Sequence, residues 1–195
     1  MGAGKSSSPN PESRSAVAAN SPNFLGDAIG IGPRARTITS MPIYLIRHAS
    51  AGTRGSLGNH TDLDRPLDPV GLDQAAAIAS RFHDADLGSI FTSVATRCVQ
   101  TVEPLGEMAG LDVVEHPALT EGQSCAGALH LVRTLAQDGT NAVLCSHGDI
   151  IPDLIQTLAR EGMVIRGPRG WAKGSTWELR TRGTDITEAE FRGPF

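Results

Sequence analysis

Two histidines stand directly after two of the most continuous apolar runs in this 195-residue chain. His48 follows Pro42-Ile43-Tyr44-Leu45-Ile46-Arg47, and His147 follows Asn141-Ala142-Val143-Leu144-Cys145-Ser146. A third run, Ser89-Ile90-Phe91-Thr92, ends at Ser93, with Arg97 one helical turn further on. A neutral imidazole is a competent nucleophile toward phosphorus, and a phosphohistidine splits one hard step into two easier ones. Guanidinium groups hold phosphoryl oxygens through charge-assisted, often bidentate hydrogen bonds. Phosphoryl transfer needs positioning and charge neutralisation above all, which cationic side chains can supply without a metal. Taken singly, each histidine also fits a structural residue at a strand end, and Arg97 a surface arginine. Their joint occurrence on separate buried runs is what points to an anion site containing a nucleophile.

Such a site needs the three runs to end at one rim. Each is a short apolar stretch of the kind found in buried parallel strands. Between them the apolar spacing turns helical. Pro69-Val70-Gly71 opens a helix with Leu72, Ala75, Ala76, Ala79 and Phe82 on one face. Ala95 to Met108 reads as a second helix, Gly110 to Val114 as a strand, and Ala126 to Gln137 as a third helix with Leu129, Val132, Leu135 and Ala136 inward. A fourth helix follows Gly148-Asp149 and carries Ile151, Leu154, Ile155 and Leu158. Thr176-Trp177-Glu178-Leu179 and Ile186 to Phe191 alternate like two strands around Arg182-Gly183-Thr184. The pattern predicts a three-layer α/β/α sandwich with a mostly parallel sheet, made mixed by the closing hairpin. In open sheets of this kind ligands gather beyond the carboxyl ends of the strands, where Arg47, His48, Ser93, Arg97, Ser146 and His147 fall. The start of the fourth helix would add a positive dipole end there.

Composition restricts the remaining classes. Hydrophobic residues make up 39%, charged residues 19%, and the formal charge is −4. No basic excess suggests a nucleic-acid polymer as partner, and no apolar run approaches bilayer length. Cys98, Cys145 and Cys125 lack metal-ligand spacing and read as buried free thiols of a reducing compartment, the cytoplasm. The first forty residues are rich in Ser, Gly, Pro and Asn and lack the apolar segment of a secretory signal. They are expected to be a disordered extension to a domain over 41–195. Gly4-Lys5-Ser6 fails as a phosphate-binding loop because the leading glycine and the preceding strand are missing.

At these residues the chain resembles the histidine phosphatase, or phosphoglycerate mutase-like, superfamily. Tyr44-Leu45-Ile46-Arg47-His48-Ala49 is similar to its Arg-His-Gly signature in an Arg-His-Ala variant. The stretches around Arg97-Cys98-Val99-Gln100-Thr101 and Ser146-His147-Gly148-Asp149, with Arg65-Pro66-Leu67-Asp68 and Lys173-Gly174-Ser175-Thr176, continue the likeness in order over residues 42–182. The variant is shared with short bacterial members, including phosphohistidine phosphatases, and with the phosphatase-like domain fused to a Nudix domain in some actinobacterial nucleotide-sanitising hydrolases. Forty upstream residues are too few for a Nudix domain, so a stand-alone phosphatase domain is expected.

The resemblance implies that His48 is the phosphorylated nucleophile, that Arg47 and Arg97 clamp phosphoryl oxygens, and that His147 hydrogen-bonds the same group. Glu121 resembles the acidic residue that protonates the leaving oxygen and then activates water. The longer family pattern after it is replaced here by Gly122-Gln123-Ser124-Cys125-Ala126-Gly127, leaving Asp62, Asp64 and Asp149 as other carboxylates for that role. The implied activity is a metal- and cofactor-independent phosphomonoesterase acting on a small phosphorylated metabolite, a nucleotide or a protein phosphohistidine. A phosphoglycerate mutase-type phosphotransferase and a non-catalytic phospho-ligand-binding protein are the alternatives.

Arg54, His60, Arg65 and Lys173 lie in loops able to overhang the site, and each also fits an ordinary solvent-facing charge. A second anionic group on the substrate would use Arg65 and Lys173. Asp62 and Asp64 lack a third ligand for a metal, so pairing with Arg65 or capping a turn is expected of them. Trp177 reads as core, and Trp171 as closing its loop. Oligomeric state leaves no trace in the sequence.

Overall fold

The computed structural model describes residues 41–55 and 61–194. The reading of residues 1–40 as a disordered extension lies outside that range. Seven strands and four α-helices follow in the order β1 (Ile43–Arg47), α1 (Pro69–Arg81), β2 (Ser89–Thr92), α2 (Thr96–Ala109), β3 (Val113–Glu115), α3 (Cys125–Asp138), β4 (Ala142–Ser146), α4 (Ile150–Arg160), β5 (Val164–Arg166), β6 (Thr176–Arg182) and β7 (Asp185–Arg192). They form one sheet in the order β3-β2-β4-β1-β6-β7-β5. β3, β2, β4 and β1 run parallel, β6 runs against both β1 and β7, and β5 is parallel to β7. The sheet is therefore mixed, as the closing hairpin implies.

Strand alternation divides the core between the two faces of the sheet. Ile43 and Leu45 of β1 and Leu144 of β4 pack with Val132 and Leu135 of α3 and Ile151, Leu154, Ile155 and Leu158 of α4. Ile46, Val143 and Cys145 point the other way, onto Ile78, Ala79 and Phe82 from α1 and its end and Cys98, Val102 and Leu105 of α2. Two helices thus cover each face, giving the three layers predicted. Burial of such side chains stabilises a fold by about 1.5–3 kcal/mol each, which is why the period of the pattern governs the layering.

Local chemistry sets the helix ends that matter here. Asp68 caps α1 by accepting from the Gly71 N–H at 2.8 Å, with Pro69 in the first turn. Asp149 caps α4 by accepting from the Ile150 N–H at 2.8 Å. Gly110 ends α2 with φ 66°, a left-handed geometry that favours glycine.

Four expectations are corrected. Leu72 and Ala76 of α1 are exposed; the buried stripe is Gly71, Ala75, Ile78 and Ala79, because the helix lies with its 71–75–78 edge inward. β3 starts at Val113, not Gly110, since that glycine is the cap of α2. Strand β5 went unforeseen: three residues between the positive-φ Gly162 and Gly167 are too few to show alternation. Cys125 is half-exposed at the start of α3, whereas Cys98 and Cys145 are buried free thiols.

No helix among the described residues is long and apolar enough to cross a membrane.

Candidate active site

β1 and β4 are neighbours, and their register pairs Arg47 with Ser146. His48 and His147 therefore leave adjacent parallel strands at the same level. Their ring centroids lie 5.3 Å apart in an edge-on arrangement, close to the spacing of neighbouring strands. No packed side chain needs to intervene at that distance.

The backbone around His48 is fixed from three sides. Its N–H donates to the Ser146 carbonyl at 3.0 Å, while the Gly174 N–H donates to the carbonyls of Arg47 and His48 at 3.1 and 3.2 Å. The Ala49 N–H donates to Thr101 Oγ1 at 3.0 Å, and that hydroxyl donates to the Arg97 carbonyl at 2.6 Å. One turn of α2 is thus tied to the loop that follows His48. The Ser50 N–H is held by Gln74 Oε1 at 2.8 Å, and its hydroxyl by Asp68 Oδ2 at 2.7 Å. Thr101, Gln74 and Asp68 were not singled out from the sequence. Gln100-Thr101 belongs to the resembling stretch, but nothing in the residue types says that they hold backbone rather than ligand.

The His48 ring is 5% exposed, and Nδ1 lies 2.8 Å from the Ala49 carbonyl oxygen. A carbonyl only accepts, so Nδ1 carries the proton and the lone pair of the neutral ring sits on Nε2. Burial pushes the ring's pKa from 6.5 down to about 3, against the supporting Ala49 bond and with further lowering from His147, Arg97 and Arg47. His48 is neutral across the ordinary working range.

Arg47 Nη1 donates to the Trp171 carbonyl. Burial pushes this guanidinium below its ordinary value, opposed by the carboxylates of Glu121 and Asp149. Trp171 stacks on Trp177 with centroids 5.2 Å apart, and Trp177 donates to the Gly170 carbonyl at 3.1 Å. Trp171 thus closes its loop, and Trp177 is core.

Arg97, in the first turn of α2, is 1% exposed. Its Nη1 donates to the Asp62 carbonyl at 2.8 Å and its Nη2 to Glu121 Oε2 at 2.7 Å. The same Nη2 lies 3.3 Å from His147 Nδ1. A guanidinium only donates, so Nδ1 accepts, and Nε2 of His147 carries the proton toward Ser93 Oγ at 2.8 Å. Both nitrogens of His147 therefore have protein partners, as does Ser93, and neither residue lines the cleft described next. Cys98 Sγ also lies 3.5 Å from His147 Nε2.

An open cleft of about 610 Å³ lies above this layer. Its walls include Arg47, His48, Arg54, Arg65, Glu121 and Lys173. The other Oε of Glu121 accepts from Arg54 Nη2 at 2.6 Å, so this carboxylate bridges the exposed Arg54 and the buried Arg97. Asp149 accepts from the Gly122 N–H at 2.8 Å, holding the Glu121 loop against the start of α4.

The structure brings His48, Arg47, Arg97, His147, Ser93 and Glu121 together and sets Arg54, Arg65 and Lys173 around the cleft. Arg65 is not a solvent-facing charge: it is 6% exposed, chelates both oxygens of Asp62 at 2.8 and 3.1 Å and donates to the Gly52 carbonyl. Asp62 is thereby the partner expected of it, its carboxyl held below the usual range by the Arg65 bonds. Asp64 accepts from the Thr61 hydroxyl at 2.8 Å. Among the described residues no group of three His, Cys, Asp or Glu side chains could hold a metal ion. His60 lies outside the described residues.

Comparison with known proteins agrees with this geometry. Residues 43–129 match the model of the histidine phosphatase superfamily (branch 1). An 8-oxo-(d)GTP phosphatase of Mycolicibacterium smegmatis is 30% identical over 162 residues, covering 82% of this chain and 50% of that protein. The chain thus spans half the length of that relative. Among solved structures, the protein histidine phosphatase SixA complexed with tungstate superposes with a TM-score of 0.63 at 20% identity, covering 80% of this chain and 96% of that one. A SixA homologue from Nakamurella multipartitia gives 0.61 at 23% identity, covering 80% and 95%. At such identities the superpositions establish the shared fold. Matched stretches over residues 43–129, matched fold and two imidazoles on adjacent strand ends agree: this part of the chain is similar to the histidine phosphatase superfamily.

Proposed function

We propose that the protein is a phosphohydrolase that transfers a phosphoryl group to Nε2 of His48 and then to water. The observation that carries this reading is the state of the His48 ring. It is buried and neutral, its proton is directed to the Ala49 carbonyl, its lone pair is left on the opposite nitrogen, and the residue lines the cleft. In the first step Nε2 attacks phosphorus in line, the P–O bond to the leaving group breaks, and a carboxylic acid returns a proton to the departing oxygen. In the second step the same carboxylate takes a proton from water, which attacks the phosphohistidine and releases phosphate. Glu121 is the favoured carboxyl, because its oxygens lie at the cleft wall beside the arginines. Developing charge on phosphorus is met by Arg47 and Arg97, with Arg97 held by His147, which is held in turn by Ser93. Charge neutralisation by these side chains requires no metal, and the reading involves neither a nucleic-acid polymer nor a membrane.

A nucleotide is the favoured substrate class. The cleft is larger than one phosphate fills, and a relative 30% identical to this chain is named for a nucleoside triphosphate substrate. Small sugar phosphates and protein phosphohistidine are the competing classes. A reducing cytoplasm suits the buried free thiols of Cys98 and Cys145.

The test is turnover of an aryl phosphate in excess chelator, with phosphorus-labelled enzyme trapped by quenching, followed by a panel of nucleotides, sugar phosphates and a phosphohistidine protein. The expected product is an acid-labile, base-stable phosphoenzyme that is missing in His48→Ala. Turnover that survives His48→Ala, or that stops with the chelator, overturns the proposal.

A further inference from the structure

Arg97 is 1% exposed, yet a phosphoryl group must reach it if it is to act as a clamp. What covers it on the cleft side is a carboxylate. Glu121 Oε2 sits 2.7 Å from Arg97 Nη2, and Oε1 sits 2.6 Å from Arg54 Nη2. Two oxygens of one anion, each on its own guanidinium, reproduce the way a phosphoryl group would be held. The Glu121 side chain is 35% exposed and that of Arg54 68%, so both are free to move, whereas Arg97 is fixed by Asp62, His147 and its own burial.

We infer that Glu121 is a resident anion on the phosphoryl-binding guanidinium of Arg97, and that an incoming phosphoryl oxygen takes its place. This rests on the phosphohydrolase reading and adds to it a specific exchange. Before exchange, this carboxylate at 2.7 Å and Asp62 Oδ2 at 3.5 Å together neutralise the buried cation, and Glu121 is the closer and less constrained of the two. After exchange, Arg54 still holds Oε1, which keeps the released carboxyl at the mouth of the cleft beside the leaving group. Arg54 is in this sense a positioning residue for the acid. The backbone of the Glu121 loop need not move, because Asp149 holds Gly122 by its N–H.

An exchange of this kind costs affinity for any phosphate ligand in proportion to how seldom Arg97 is uncovered. Glu121→Gln, which keeps the shape but removes the charge, should therefore bind inorganic phosphate about tenfold more tightly while turning over more slowly. Titration calorimetry with inorganic phosphate on both proteins gives the first readout. Because removing any nearby negative charge favours an anion, a second readout decides the cause: crystals of the wild-type protein soaked in phosphate. The expected result is a phosphate oxygen on Arg97 Nη2, with Glu121 turned away but still on Arg54. Phosphate bound beside His48 with Glu121 still on Arg97 overturns the exchange and leaves the phosphohydrolase reading standing, as does equal or weaker binding by Glu121→Gln. Phosphate that binds neither protein overturns both.

Discussion

The guanidinium of Arg47 rests on the backbone of Gly148, so closely that a Cβ on residue 148 would stand 2.7 Å from Arg47 Cζ. The glycine after His147 is required by that approach. Gly148→Ala should push Arg47 off the phosphoryl position with little effect on the fold, since overpacking of one methyl costs about 1–3 kcal/mol. Steady-state kinetics with an aryl phosphate should show a loss of at least about tenfold in kcat/KM. An unchanged value would remove Arg47 from the clamp.

Neutral burial of His48 makes a thermodynamic prediction with a definite sign. In the unfolded chain the ring titrates near 6.5, and in the folded protein at about 3. Between those values the unfolded state binds the extra proton. The contribution of the neutral ring is therefore fully present above about pH 6.5 and is lost as pH falls toward 3. Urea unfolding of the wild type and of His48→Gln should show a stability difference that shifts against the wild type by roughly 1.4 kcal/mol per pH unit between about pH 6 and pH 4. A difference that does not vary with pH would mean that the ring is not held neutral.

Thr101 joins the loop after His48 to α2 through Ala49 and the Arg97 carbonyl. Thr101→Val keeps the shape and strands the buried Ala49 N–H, at a cost of about 1–3 kcal/mol. Stability by thermal unfolding should fall by that amount. A decline in kcat with KM nearly unchanged would follow from the loosened His48; full activity in a destabilised protein would confine Thr101 to the fold.

Glu121→Gln separates leaving groups. An alkyl phosphate needs the proton and should slow by about 10²–10⁴-fold, while an activated aryl phosphate should be largely spared. Equal losses on both substrates would transfer the acid role to another carboxyl, with Asp149 on the cleft wall as an alternative.

Asp68 caps α1 and holds the Ser50 hydroxyl at once, bonds that keep its carboxyl below the usual range. Asp68→Ala should cost about 0.5–2 kcal/mol, as loss of a cap does. Asp68→Asn, which can still accept from the Gly71 N–H, should recover most of it in the same thermal melts.

Much of this was legible in the chain because apolar runs ending in Arg47-His48 and Ser146-His147 fix both a strand and what lies beyond it. The layering followed from helical spacing in α3 and α4, where most of the implied residues are buried, with Ala128 in place of the half-buried Leu129 and Ile150 added. α1 misled, since Leu72 is an apolar residue on the solvent side and a small-residue edge does the packing. Side-chain partners were harder to foresee. The pairing of Arg65 with Asp62, three residues away on the same 3-10 turn, is among the expectations because the two are close in sequence. Glu121 was found through its likeness to an acid, but its position across Arg97 and Arg54 depends on contacts between residues 24 and 67 positions apart. No local pattern encodes such a contact.

Register between β1 and β4 has a consequence for how such a protein can diversify. The separation of the two imidazoles is a property of backbone pairing, whereas Arg54, Arg65 and Lys173 of the cleft wall hang on the connections after β1 and before β6. Those connections can lengthen, shorten or change their charges without altering the spacing of the imidazole pair. Under the proposed phosphohydrolase reading, choice of substrate and attack on phosphorus are thereby separable parts of one molecule.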